Sequence, residues 1–165
     1  MSLAWIEPVT DRTQADVDRA KYLIEKGYSN LTEDERTEWN AGLKGCLNAS
    51  DLSRILNNIE ILRQVLELNI PATDLNVPYT PVQSWFSYNV LWRVQMIREA
   101  YSTYDTTPQT PGYHGGGGFY TIDYTYQDIN DVEQILKDVH DIIESNFYYL
   151  NIDEITMGDE VGLIL

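Results

Sequence analysis

Two stretches of the chain repeat one spacing of apolar residues, and this repeat constrains the fold more than any other feature of the sequence. In each stretch an aspartate, Asp51 or Asp128, is followed by apolar residues at relative positions 0, 3, 7, 10 and 14. This is the a/d spacing of a heptad pattern, which predicts an amphipathic helix with one continuous apolar stripe. The predicted core residues are Leu52, Ile55, Ile59, Leu62 and Leu66 in the first stripe, and Ile129, Val132, Leu136, Val139 and Ile143 in the second.

Two such helices in one chain of 165 residues most economically pack against each other inside a helical bundle, because each stripe must be covered by another apolar surface. The alternative is that one stripe forms an interface between copies of the protein. A chain of this length suits one hydrophobic core rather than two. We therefore predict a single helical domain over residues 1–165.

Helix-start signals predict three further helices. Thr13 and Thr32 each lie three residues before an acidic side chain, which is the spacing of a capping box. Another helix is predicted to begin at Thr80, because a proline follows it at the first helical position, and to extend to about Tyr104. The predicted fold class is therefore mainly α, with about five helices in a bundle-like domain.

The segment between the last two predicted helices is a long loop, residues 105–124, which contains the run Gly115–Gly118. Loops of this length in a compact domain are usually functional or mobile. Residues 119–124 are rich in strand-forming side chains, so a small β element is predicted within this glycine-rich loop. The tail, residues 151–165, mixes acidic and apolar side chains, and it is expected to fold back on the bundle or to reach a partner.

The charge balance excludes two classes of partner. The chain has 26 acidic and 11 basic side chains, a net charge of −15, and residues 99–165 carry 13 acidic side chains against Lys137 alone. Such a surface repels nucleic-acid phosphates and anionic membranes. No apolar run approaches the ~20 residues of a membrane span, and the N-terminus lacks the pattern of a signal peptide. The single cysteine, Cys46, excludes an internal disulfide and favours a reducing compartment.

Signals for catalysis are sparse. The two histidines are His114, in the loop, and His140, which is predicted to be solvated on the polar flank of the last helix. Cys46 has no histidine near it in the sequence to activate its thiol, so it is expected to pack as a small apolar residue. The motifs of serine hydrolases, zinc proteases and phosphate-binding loops do not occur in the sequence. We expect no catalytic residue, no metal and no cofactor.

Aromatic residues are distributed unevenly. Fifteen of the 19 fall within residues 79–149, and four of them fall within residues 85–92 of one predicted helix. Four aromatics so close together cannot share one helix face, so some of them must line the loop, a groove or a second interface. The competing interpretation is an aromatic core for the loop-rich half. The candidate contacts to a partner protein or a glycan are Trp85, Trp92, Tyr113, His114, Phe119 and Tyr120.

The first third of the chain carries a distinctive string of residues. It consists of Trp5, Thr10-Asp11-Arg12-Thr13-x-Ala15-Asp16-Val17, Leu31-Thr32, Trp39, Gly42-Leu43-Lys44-Gly45-x-Leu47-Asn48 and Asp51-Leu52-x-Arg54-Ile55. A second string follows later, Tyr124-Thr125-Tyr126-Gln127-Asp128-Ile129-Asn130-Asp131-Val132-Glu133. Together they resemble an N-terminal module in structural proteins of phages and prophages of Gram-positive gut bacteria, usually tail or minor structural proteins.

The resemblance implies a non-enzymatic structural or adaptor component of a phage tail or prophage-encoded particle. Its partners would be other structural proteins of the particle or further copies of itself, in the virion or in the host cytoplasm during assembly. The alternative is a carbohydrate-binding module that uses the aromatic and glycine-rich region 79–126. A hydrolase acting on cell-wall glycans through loop carboxylates ranks third.

Two residues of the first string also receive architectural predictions. Trp39 is expected to be a core wedge between the first three helices. Arg54 is expected to pair with an acid such as Asp11 or Asp16.

Overall fold

The computed structural model of the protein describes residues 3–78, 83–100, 107–114, 118–119 and 124–161. Within these residues the chain is mainly helical and forms five helices, as the sequence predicts. They are α1 (Gln14–Lys26), α2 (Glu33–Ala41), α3 (Ala49–Val65), α4 (residues 83–100) and α5 (Tyr126–Val161). A short 3₁₀ turn, Tyr28–Asn30, joins α1 to α2.

The starts of α1 and α2 confirm the capping boxes predicted from sequence. The Thr13 hydroxyl accepts a hydrogen bond from the N–H of Asp16, whose carboxylate accepts one from the N–H of Thr13. Thr32 and Glu35 form the same reciprocal pair at the start of α2. Each box satisfies N–H groups that the first turn of a helix leaves without a partner. The predicted start of α4 at Thr80 and its predicted end near Tyr104 lie outside the described residues.

Helix α4 is interrupted by a π-helical turn. Its α-helical segments, Gln83–Phe86 and Trp92–Ala100, flank the π-helical segment Ser87–Leu91. A π turn holds more residues than an α turn and therefore rotates the side chains that follow it. Phe86, just before the π-helical segment, is buried, and Tyr88, within it, is exposed.

Helices α3, α4 and α5 share one hydrophobic core, here called the main core, and both predicted stripes contribute to it. Leu66 packs against its edge and is half-buried. The two stripes therefore pack within one chain. The buried members are Leu52, Ile55, Ile59 and Leu62 from α3, Ile129, Val132, Leu136, Val139 and Ile143 from α5, and Phe86, Val90, Leu91, Val94 and Ile97 from α4.

Helices α1 and α2 form a hairpin with a small cluster of its own. This hairpin cluster contains Ala20, Leu23, Leu31 and Leu43. Trp39 is half-buried, packs on this cluster and makes an edge-to-face contact with Tyr28 at 6.0 Å between ring centroids. Trp39 thus packs on the α1–α2 hairpin, and its predicted contact with the third helix stays a prediction.

The β element is a single short antiparallel pair. Strand β1 (Tyr113–His114) pairs with β2 (Gly118–Phe119), with Tyr113 opposite Phe119. The element therefore begins before the glycine run and includes its last glycine, Gly118, rather than lying entirely after the run. The predicted strand residues 120–123 lie outside the described part of the chain. Helix α5 continues to Val161, so most of the segment predicted as a tail is helical.

Candidate functional site

A segment before α1, residues 3–12, is held against α3 and α5 by two asparagines; we call it the N-terminal arm. The side chain of Asn58 accepts a hydrogen bond from the N–H of Ile6 at 3.2 Å and donates one to its carbonyl at 2.6 Å. Asn130 does the same for Arg12, at 3.2 and 2.9 Å. Each amide therefore binds both backbone polar groups of one arm residue, and these contacts do not depend on that residue's side chain.

The arm runs opposite to the helices that bind it. Along α5, the Trp5 indole stacks on the His140 ring at 3.8 Å, and Arg12 contacts Asn130. Along α3, Ile6 contacts Asn58 and Arg12 contacts Asp51. These pairings place α3 and α5 side by side and pointing in the same direction, with the arm lying antiparallel between them; we call this surface the arm groove.

The stacking on Trp5 corrects the prediction for His140. The sequence predicts a solvated histidine, but the His140 side chain is only 21% exposed, because the indole of Trp5 covers its ring. The residue that covers it lies 135 positions earlier in the chain, so no local pattern around His140 indicates the contact.

Under the arm lies a buried network of four charged side chains. The guanidinium of Arg12 bonds to Asp51 at 3.1 Å and to Glu133 at 2.9 Å, and that of Arg54 bonds to the same two carboxylates at 2.6 and 2.7 Å. Glu133, 1% exposed, also accepts a hydrogen bond from the N–H of Val9 at 2.8 Å. Two cations and two anions leave the network neutral, which is how charges are tolerated in a protein interior.

This network corrects the predicted partners of Arg54. Asp11 and Asp16, the acids proposed from sequence, lie instead beside Lys44, at 2.9 and 3.8 Å. Arg54 lies one helical turn after Asp51 on α3, and residues three apart share a helix face. Arg54 can therefore contact both Asp51 and Glu133. Its hydrogen bonds to Glu133 raise the pKa of Arg54 against the opposing effect of burial. Arg54 therefore keeps its positive charge in the network.

The pKa of Asp51 follows the same logic. Burial alone would raise it, but the N–H of Asn48 and the guanidinium groups of Arg54 and Arg12 together lower the pKa of this carboxyl below its usual value. Asp51 is therefore ionised at neutral pH, which keeps both arginines paired.

A small cleft of about 110 Å³ opens beside the network, at the start of α5. Arg12, Cys46 and Ile129 are among the residues that line it. Burial raises the pKa of the Cys46 thiol, so the thiol stays protonated, and a protonated thiol is a poor nucleophile. Cys46 also packs against the hairpin cluster. The cleft is thus lined by packed side chains rather than by an activated nucleophile.

Of the aromatic residues proposed as contacts, Trp92 is half-buried and lies beside an exposed tyrosine. Its ring stacks in parallel on Tyr88, with 5.5 Å between centroids and 2° between planes, and Tyr88 is 55% exposed. Trp85 instead packs against the main core. Tyr113 is half-buried, and its hydroxyl donates to Glu99 at 3.3 Å.

The remaining proposed contacts are placed only in part. His114 and Phe119 belong to the β pair, and their side chains lie outside the described part of the structure, as does all of Tyr120. Tyr88 was not selected from the sequence. Its spacing of four residues from Trp92 is the signal that could have identified it, because residues four apart on a helix are neighbours.

The hairpin carries a second exposed aromatic surface, which the sequence reasoning missed. Tyr22 and Tyr28 are each 48% exposed. The cationic groups of Arg19 and Lys26 lie 5.4 and 5.6 Å from the centroid of the Tyr22 ring, and that of Arg36 lies 5.8 Å from the Tyr28 ring. We call these five side chains the hairpin surface. The sequence signal that could have identified this surface is Tyr22 with Arg19 three residues before it and Lys26 four residues after it in α1.

The residues that the structure describes hold no group of three or more His, Cys, Asp or Glu side chains arranged to bind a metal ion. They also contain no helix that combines the length and the apolar character needed to cross a bilayer. Comparison of the chain with protein families, curated proteins and solved structures finds no match in any of the three.

Proposed function

We propose that the protein is a non-enzymatic structural or adaptor component of a phage tail or prophage-encoded particle, and that it binds other protein subunits of that particle. The particle is inferred from the sequence resemblance, and the hairpin surface is the observation that supports binding to another protein subunit. It presents Tyr22 and Tyr28 to solvent beside arginine and lysine side chains. Tyrosine and arginine are enriched among the residues that dominate the energetics of protein–protein interfaces.

The arm groove gives further support. Trp5, Arg12, Asp51 and Arg54 are among the residues on which the resemblance to phage structural modules rests. In the structure these same residues attach the arm to the helices. Their role is therefore architectural, which is what a module that positions a binding surface requires.

The proposal is tested on particles released from the encoding host after prophage induction. The particles are banded on a density gradient, and each fraction is analysed by quantitative mass spectrometry. We expect the chain to band with tail proteins in a fixed ratio. A chain found entirely among the free proteins at the top of the gradient would contradict the proposal.

The hairpin surface is tested by Tyr22→Ala combined with Tyr28→Ala. Removing two exposed aromatic side chains from an interface should weaken incorporation about tenfold or more, equivalent to ~1.4 kcal/mol. Tyr88→Ala, which removes an equally exposed tyrosine from α4, is the matched control and should incorporate like the unaltered chain. Equal incorporation of both variants would exclude the hairpin surface as the contact.

A second candidate function, carbohydrate binding, is favoured by the Tyr88–Trp92 pair. The exposed Tyr88 ring lies parallel to the Trp92 ring and offers a flat apolar face against which the C–H groups of a sugar can stack. Glu99 lies two helical turns beyond Trp92 on the same face and supplies a carboxylate for sugar hydroxyls. A glycan array should then show binding that Tyr88→Ala abolishes and Tyr22→Ala leaves unchanged. An array without signal would remove this candidate.

A further inference from the structure

The arm groove binds a peptide mainly through its backbone. Asn58 and Asn130 bind both backbone polar groups of Ile6 and Arg12, and Glu133 accepts from the backbone N–H of Val9. Asn57 donates to the carbonyl of Ala4 at 2.8 Å. These four side chains would bind any peptide that presents the same backbone spacing.

Three arm side chains add selectivity to this backbone recognition. Trp5 stacks on His140, Pro8 is buried, and Arg12 enters the charged network. Without Arg12, the groove would hold Arg54 against the carboxylates of Asp51 and Glu133, which is a net charge of −1. A peptide that occupies the groove must therefore bring one cation to a position seven residues after its tryptophan.

The arm and the hairpin precede a single loop that leads into α3. Leu43 belongs to the hairpin cluster, Cys46 packs on it, and Lys44 pairs with Asp11. The loop residue that follows, Leu47, is 39% exposed. Rotation of the backbone near Leu47 would release the arm together with the hairpin while leaving the hairpin cluster intact, as a hinge requires.

We propose that the arm groove also accepts the N-terminal arm of a second copy of this chain, so that neighbouring copies exchange arms. A second copy carries the same tryptophan, proline and arginine at the same spacing, so it reproduces every contact described above. Exchange of an identical element is a low-cost way to join protomers, since few new contacts are needed. The inference builds on the proposed function by naming a partner, the chain itself.

The test uses the unaltered protein, prepared once with natural isotopes and once with heavy nitrogen. Equal amounts are mixed, held a few degrees below the unfolding midpoint, cooled and treated with a carbodiimide, which joins a lysine amine directly to a carboxylate. The reporting pair is Lys137 on α5 and Glu7 on the arm, 3.1 Å apart, with the Glu7 side chain 70% exposed. Mass spectrometry then shows whether the two linked peptides come from one isotope or from both.

A matched control lies within the hairpin. Lys26 and Glu35 are 2.7 Å apart and move together in either arrangement, so their cross-link must stay within one isotope. We expect the mixed fraction of the Glu7–Lys137 cross-link to rise with time and protein concentration toward the statistical limit of an equal mixture. A mixed fraction no higher than that of Lys26–Glu35, at every concentration and temperature, would overturn arm exchange.

Arm exchange and the proposed function can fail separately. Banding of the chain with particles does not depend on the isotope experiment. If the chain bands with particles but shows no mixed cross-link, the proposed function stands and arm exchange is rejected. Mixed cross-links in a chain that never bands with particles would establish self-association without the particle.

Discussion

We expect Glu133→Gln to lower the free energy of unfolding by about 3–5 kcal/mol, because removing one member of a buried ion network leaves the remaining charges without full compensation. The substitution keeps the size of the side chain but removes its charge. Arg12 and Arg54 then share the single carboxylate of Asp51. Urea unfolding followed by circular dichroism measures the loss, seen as a lower midpoint at an unchanged slope.

An exposed ion pair provides the control for this substitution. Glu38 bonds to Arg19 at 2.7 Å, a distance similar to those in the network, but both side chains are more than 40% exposed. Glu38→Gln should therefore cost no more than about 1 kcal/mol, because water solvates the unpaired arginine. If the two variants lost the same free energy of unfolding, the buried network would contribute no more to stability than an exposed ion pair.

The parts of the fold that the sequence predicts well are those governed by nearby residues. The capping boxes at Thr13 and Thr32 join residues three positions apart, and the stripes of α3 and α5 repeat within single helices. Such patterns are visible in a short window because hydrogen bonding and burial along a helix depend on local spacing. The helical fold class and the packing of both stripes in one core follow from them.

The arm groove could not be predicted in the same way. Its contacts join residues 39 to 135 positions apart, such as Arg12 with Asp51 and Trp5 with His140. Arg54 pairs with Asp51 and Glu133 instead of the acids proposed from sequence. Glu133 becomes a neighbour of Arg54 only when α5 packs beside α3. The sequence around Arg54 contains nothing that distinguishes Glu133 from the chain's other carboxylates, so the prediction favoured nearer acids.

The aromatic residues show a related limit. The crowding within residues 85–92 indicates that one helix face cannot hold all of them, but the sequence does not show where a π turn will rotate the side chains. In the structure Tyr88, within this turn, is exposed and stacks on Trp92, and Phe86, just before the turn, is buried. The crowding of aromatic residues alone does not indicate which of them reach the surface.

The second large effect is expected in the main core. Leu62 is 1% exposed, and Leu62→Ala should lower the free energy of unfolding by about 2–4 kcal/mol, since burial is lost and a cavity remains. Val139→Ala on α5 should cost somewhat less, because one carbon atom fewer is removed. Val65→Ala, at a 49% exposed position at the end of α3, is the control and should change stability by less than about 0.5 kcal/mol.

The double variant of Leu62 and Val139 tests whether the two stripes depend on each other. Both residues belong to one core between helices that run side by side, so the cavity left by one substitution should change the cost of the other. We expect the sum of the single losses to differ from the loss of the double variant by about 0.5 kcal/mol or more, as for residues that share a cavity. Strict additivity, measured by urea unfolding of all four proteins, would mean that Leu62 and Val139 are packed independently of each other within the main core.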